Sequence, residues 1–266
     1  DNVVEPVIYY HPVYELTPFP RLSFEQHKND EGSQGSYEMV PTIVEYDDGE
    51  KLKDDPILDY DRTASEAKLA QAKEIFEPIL TVVQAPVQFA AKVVDEFSWL
   101  RGMEQSYIDM MDDPEWMREC LQSITDNFNK RYDLLEQSGL WGTHDLSTPL
   151  GSAGLRYISG MKNWSDEADP AHPTGKTSDG WGFTCAELLT VCGSEQHNEF
   201  SFEYDKQVMS RFKYINVGCC EVLDKKIPLI AQLKNTRKVS VSEWCNPLLA
   251  AEQIGKKYVY SYRAAG

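Results

Sequence analysis

The string GCCE at 218–221 sets two thiols and a carboxylate side by side at the end of an apolar run. Thiols lining a cavity hold zinc or act as nucleophiles, and a neighbouring carboxylate serves as base, proton donor or further ligand. Side chains alternate along a strand, so Cys219 and Cys220 point to opposite faces unless the chain bends at Gly218. Cys220 is the one assigned to the pocket. Cys185 and Cys245 stand at the ends of two other apolar runs. With Cys220 they form a candidate metal set of three sulfurs, which His144 would complete as a tetrahedral zinc site. The spacing matches neither CxxC nor HExxH, and free cysteines are often plain packing, which is the competing role.

Glu187, Glu221 and Glu243 each follow an apolar, strand-like segment, where a carboxylate with a raised pKa can give or take a proton. Glu221, Glu187 and His144 are the catalytic candidates, with Asp145 available to orient the His144 ring. The alternative for the glutamates is to accept backbone or arginine hydrogen bonds. Substrate contacts are assigned to His11 and Tyr14 beyond the first apolar run, to Arg101, and to Trp181, Ser242 and Arg263 on the later segments. Arginine suits a carboxylate or phosphate because its planar fork binds two oxygens at once.

These groups must be carried by strands and helices that alternate. Strand-like runs are ILTVVQAPV at 79–87, WGFTCAE at 181–187, YINVGCCE at 214–221, RKVSVSEW at 237–244 and KKYVYSYR at 256–263. Between them lie helical stretches at 199–212, 227–233 and 247–254, the last with Asn246 as cap and Gly255 as stop. Helices are also expected at 61–76, capped by Thr63, and from Pro114 to the Gly139 stop. Residues 15–60 read as an irregular excursion with short elements at most, and 146–180 as a long Gly, Ser, Pro and Asp-rich connection.

Strand, helix, strand units with short links imply parallel strands under covering helices. Neither GxGxxG nor GxxxxGK[ST] occurs, so a nucleotide-binding doubly wound sheet is not favoured. Polar residues gather instead at several strand ends, as they do on the catalytic face of a barrel. The expected fold is one α/β domain over 1–266, a TIM-type (β/α)8 barrel. The chain has 266 residues, 26 basic and 43 acidic, for a net charge of −17, and this field should repel nucleic acid and anionic lipid. No window holds the roughly 18 to 20 uninterrupted apolar residues of a membrane span, because Gln84, Gln88, Lys92 and Asp95 break the best one. Dispersed cysteines, with Cys219 beside Cys220, fit reduced thiols and a cytoplasmic setting.

The blocks RGMEQSYIDMMDDPEWM, YINVGCCEVLDKKIP, RKVSVSEWCNP and KYVYSYR resemble the uroporphyrinogen decarboxylase superfamily, which also holds cobamide-dependent methyltransferases. The resemblance implies a TIM-type barrel with its pocket at the strand C-terminal ends. It also implies further elements before Asp1 and after Gly266, so an incomplete barrel, a completing chain or a homo-oligomer is expected. A decarboxylase acting on a polycarboxylate tetrapyrrole needs strong positive compensation, and this acidic chain has only 9 arginines. The thiol-methylating branch carries an HxC pair; here Asn216 and Gly218 occupy those places. The resemblance therefore points to methyl transfer from a small ether or amine to a corrinoid carried by a partner protein, with zinc as a further cofactor. Tetrapyrrole decarboxylation and a noncatalytic binding barrel are the alternatives.

Overall fold

The computed structural model describes residues 5–17, 23–27, 36–142 and 160–263, of which 23–27 and 36–39 are described by backbone alone. It is a mixed α/β structure with parallel sheets. The strand β1 (Val7–Tyr10) pairs in parallel with the strand that follows the first long helix, β6 (Thr81–Gln84). Between them the chain makes two antiparallel ribbons. One joins β2 (Val13–Leu16) to β5 (Leu58–Asp61), and the other joins β3 (Ser23–His27) to β4 (Ser36–Val40). The described part of the excursion at 15–60 thus holds short elements, as expected, and what the sequence did not show is their pairing. Its pairing joins segments far apart in sequence, which local periodicity does not report.

The helix α1 (Arg62–Phe76) lies where expected, but its cap is Asp61, whose side chain accepts from the Ala64 N–H at 2.8 Å. Two helices not foreseen, α2 (Val93–Arg101) and α3 (Met103–Asp112), meet at Gly102, whose φ of 91° breaks one from the next. The long α4 (Pro114–Ser138) begins with proline at its first position and Asp113 accepting from Trp116 N–H. It stops at Gly139 in the left-handed region. Its stripe of Met117, Leu121, Ile124, Phe128, Tyr132 and Leu135 is buried. Tyr132 stacks on Phe89 at 4.4 Å and meets Trp141 and Phe212 edge-on, which makes this helix the centre of the main core.

The second half builds a four-stranded parallel sheet in the order β10-β9-β8-β7. Its strands are β7 (Trp181–Thr184), β8 (Tyr214–Val217), β9 (Thr236–Val241) and β10 (Val259–Tyr262). They are joined by α5 (Ser194–His197) and α6 (Glu203–Met209), then α7 (Ile227–Ile230), then α8 (Pro247–Ile254). Ile215, Val217, Val239 and Val241 face the helices and share their core. The other face carries Trp181, Phe183 and Cys185 from β7 and its extension, which pack with Met161 and Cys219 in a separate buried cluster. Period-two alternation in β7 and β8 therefore sends one set to the helices and the other to the opposite side of the sheet. Asn246 caps α8 as its sequence position predicts, accepting from Leu248 and Leu249 N–H. No described helix is long and apolar enough to cross a membrane.

Candidate functional site

All four strands of the large sheet end on one side, and the reactive groups sit just beyond those ends. The pivotal residue is Gly218, which extends the ladder by donating to Thr184 O at 2.9 Å and then turns the chain at φ 96°. A β-carbon there would lie 2.5 Å from Leu223 Cδ1 and 2.9 Å from Ser240 O, so glycine is required by space as well as by torsion. The turn breaks strand alternation. Cys219 and Cys220 consequently bring their sulfurs to 3.5 Å from one another instead of to opposite faces. Glu187, first residue of the 3-10 turn after β7, completes a group whose donor atoms all lie within 4.8 Å of one another. In this group Cys219 is buried, while Glu187 and Cys220 are exposed.

Arg263, the residue after β10, is anchored by its own N–H to Val241 O at 2.9 Å. Its guanidinium Nη1 donates to Cys220 Sγ at 3.1 Å and to Cys219 Sγ at 3.4 Å. Beside it opens a pocket of about 80 Å³ lined by Cys220, Ser242, Glu243, Trp244 and Arg263.

Three buried carboxylates fix the backbone on which Glu187 stands. Asp205 of α6 accepts from the Thr184 hydroxyl at 2.8 Å and from Ser201 at 2.6 Å. Asp95 of α2 accepts the Leu188 N–H at 2.9 Å and the Cys185 thiol at 3.6 Å. Glu221 accepts Ala186 N–H at 3.1 Å and Cys219 N–H at 2.6 Å, tying the turn after β7 to the turn after β8. The segment 184–188 is thus held at four of its five residues by acids from three different places.

Burial raises the carboxyl pKa of all three, to about 7 for Asp205 and Glu221. Glu187 is also pushed up to about 7, by desolvation of its inner side first and by Cys219 next to it. The Cys220 thiol is raised by burial and by Cys219, with Arg263 opposing, and Cys185 is raised by Cys219 and by burial. Lys92 stands near these acids; burial opposes its charge, but Cys185, Glu187 and Asp95 hold it above its ordinary value.

The residues expected from sequence divide cleanly. Glu187, Cys220, Ser242 and Arg263 converge on the cluster or its pocket. Glu221 is at the same place but turned inward, 1% exposed, with both oxygens engaged by backbone N–H groups. It is therefore a brace and not the pocket acid. The metal set of Cys185, Cys220 and Cys245 is replaced by Glu187, Cys219 and Cys220. Cys185 lies in the buried cluster with Cys219 and donates a hydrogen bond to Asp95, and Cys245 accepts from Leu223 N–H at 3.3 Å, fastening the loop after β8.

Arg101 is not a substrate ligand in this structure. It is 5% exposed and forks onto Asp109 at 2.7 and 3.1 Å. Trp181 is a core residue at the opposite end of β7 from Glu187, packed on Tyr214. His11 follows β1 and Tyr14 lies on β2; both are exposed and belong to the first half of the chain. His144 and Asp145 lie outside the described residues.

Sequence reasoning set Cys219 aside by preferring strand alternation to the bend at Gly218 that it named as the alternative, and it missed Asp95 and Asp205, which act through folding partners roughly 90 and 20 positions away. Asp95 had one visible signal, a charge inside the apolar run VVDEF. Trp244, read from sequence only as the end of a strand, stands beyond the strand and is 71% exposed at the pocket wall. The chain matches no family model and no curated protein, so the likeness of its motifs to a superfamily rests on those motifs alone.

Proposed function

We propose that this chain is a (β/α)8-barrel enzyme that takes a methyl group from a small ether or amine and delivers it to a corrinoid carried by a partner protein. The convergence of Glu187, Cys219, Cys220 and Arg263 beyond the ends of parallel strands carries this reading. Parallel pairing of β1 with β6 and of β7 through β10, with helices between, supports the barrel.

Demethylating an ether or amine leaves an oxygen or nitrogen that must gain a proton. Glu187 is suited to donate it, because it is exposed, stands on a braced turn, and holds its proton up to about pH 7. Arg263 borders the pocket and orients the polar end of a substrate, Trp244 offers an apolar wall, and Ser242 lines the pocket with its hydroxyl turned inward onto the Glu221 carbonyl. A pocket of about 80 Å³ has room for a small methylated compound and none for a corrinoid ring, which must approach from outside. The corrinoid, when bound, supplies the metal nucleophile that accepts the methyl carbon.

Zinc fits the donor types of Glu187, Cys219 and Cys220, two sulfurs and an oxygen, and would supply Lewis acidity there. A Glu187 bound to metal has no proton to give, so ligand and acid are alternative roles. Elemental analysis of freshly purified protein separates them.

The direct test mixes the protein with reduced cobalamin and a panel of methylated ethers and amines and follows the cobalamin spectrum. Wild type is expected to form methylcobalamin, with turnover falling as pH rises above about 7, because Glu187 loses its proton. Glu187→Gln is expected to lose about 100-fold or more in turnover while keeping its unfolding midpoint. Absence of methyl transfer from the whole panel, with a folded protein, would sink the proposal.

A further inference from the structure

We propose that Cys219 and Cys220 are a reversible oxidative modification site, at which the two adjacent sulfurs join as a disulfide and disable the cluster they belong to. Their sulfurs are 3.5 Å apart and both touch one guanidinium nitrogen of Arg263. Bond formation therefore starts from two sulfurs already close together on one side of the backbone, and its cost is the strain of linking neighbours. Cys220 is exposed to a small oxidant, whereas Cys219 is buried behind it, an arrangement of attacked and resolving thiol.

Consecutive α-carbons lie about 3.8 Å apart across a trans peptide, below the roughly 4.4 Å minimum of ordinary disulfides. A bond between neighbours is therefore strained and readily reduced, the property of labile regulatory disulfides and not of structural ones. Cys185 also contacts Cys219, but neither it nor Cys245 is open to an oxidant. Cys185 is buried and donates to Asp95, and Cys245 is buried and held by Leu223 N–H.

The oxidant is of the hydroperoxide class. Its O–O bond breaks as the Cys220 sulfur loses two electrons and becomes a sulfenic acid, and for hydrogen peroxide one water leaves. The Cys219 sulfur then attacks, the S–S bond forms, and the sulfenic hydroxyl departs with the Cys219 proton as a second water. A dithiol reverses the change by thiol–disulfide exchange, reducing the bond and being oxidised itself. The disulfide withdraws both sulfurs from Glu187 as donors and removes the thiols that Arg263 contacts. The inference rests on the proposed function in treating this cluster as the reactive centre. Its test involves no turnover, so failure of methyl transfer and failure of the switch are read separately.

The experiment treats the full chain with hydrogen peroxide, unfolds and alkylates it, and maps the peptides by mass spectrometry. Of six thiols, two are expected to disappear together, with the peptide spanning 219 and 220 lighter by one hydrogen molecule and restored by dithiothreitol. Cys220→Ser, at an exposed position, should abolish the loss, and Cys185→Ser should leave it intact. A link from Cys219 to Cys185, a link between two chains, direct passage of wild-type Cys220 to sulfinic acid, or six thiols surviving would each overturn the proposal.

Discussion

Two arginines show how differently this molecule uses the same side chain. At the junction of α2 and α3, Arg101 bonds both oxygens of Asp109 and the carbonyls of Ile43 and Val44, and lies against the rings of Tyr46 and Trp116. It ties the excursion after β4 to the helices. At the end of the large sheet, Arg263 is half-buried, faces two thiols and borders a pocket. A polar network closed on itself in the interior holds the fold, whereas the one at the strand ends borders a pocket. The type of residue does not distinguish them; what surrounds it does.

The contrast between the two breaks most visibly if Arg101 proves dispensable. Arg101→Met strands the buried Asp109 carboxylate, and chemical denaturation should show a loss of about 3–5 kcal/mol. Next in size is Gly218→Ala, where a positive φ and the Leu223 contact together should cost about 2–3 kcal/mol and part the two sulfurs. Loss of the close thiol pair in that variant is checked by the yield of the 219–220 disulfide under oxidation.

The braces around Glu187 sharpen the contrast through pH. Asp205 and Glu221 have folded values pushed up to about 7 by burial, against about 4 in an unfolded chain. Glu96, half-buried and pushed up to about 7 by desolvation, behaves the same way. The folded protein therefore keeps protons that the unfolded chain releases. This stability is full below about pH 4 and is lost as pH rises through about 7. His197, pushed down to about 3 by burial, acts oppositely, losing its contribution as pH falls below about 6.5. With Glu187, also raised to about 7, four carboxyls outweigh one imidazole, so the thermal midpoint should fall from about pH 5 to about pH 8. Glu221→Gln should flatten that slope, and a midpoint rising over this range would contradict the assignment of the braces. The smallest effect on stability is expected at the open site. Arg263→Gln should change unfolding by less than about 1 kcal/mol while sharply reducing methyl transfer, a split that denaturation and the cobalamin assay read together.

Much of the scaffold is legible in the chain itself. Pro114 and Gly139 bracket α4, Asn246 and Gly255 bracket α8, and the β-branched runs mark four parallel strands, because caps and periodicity act over a few residues. The same local logic placed Glu187, Cys220, Ser242 and Arg263 at strand ends, and hence near one another. It failed for Arg101 and Cys245, whose partners are settled by packing and not by neighbours in sequence.

The amino-acid order alone determined the alternation of strands and helices, the acidic surface charge, and the presence of thiols, carboxylates and arginine at the strand ends. Tertiary structure decided which of them meet. Gly218 turned two adjacent sulfurs to one side, and burial converted Glu221 from a candidate acid into a brace. The reason is physical. Caps and alternation are set by torsions and hydrogen bonds within a few residues. Whether a charged group faces solvent or two backbone amides depends on what the rest of the chain packs against it.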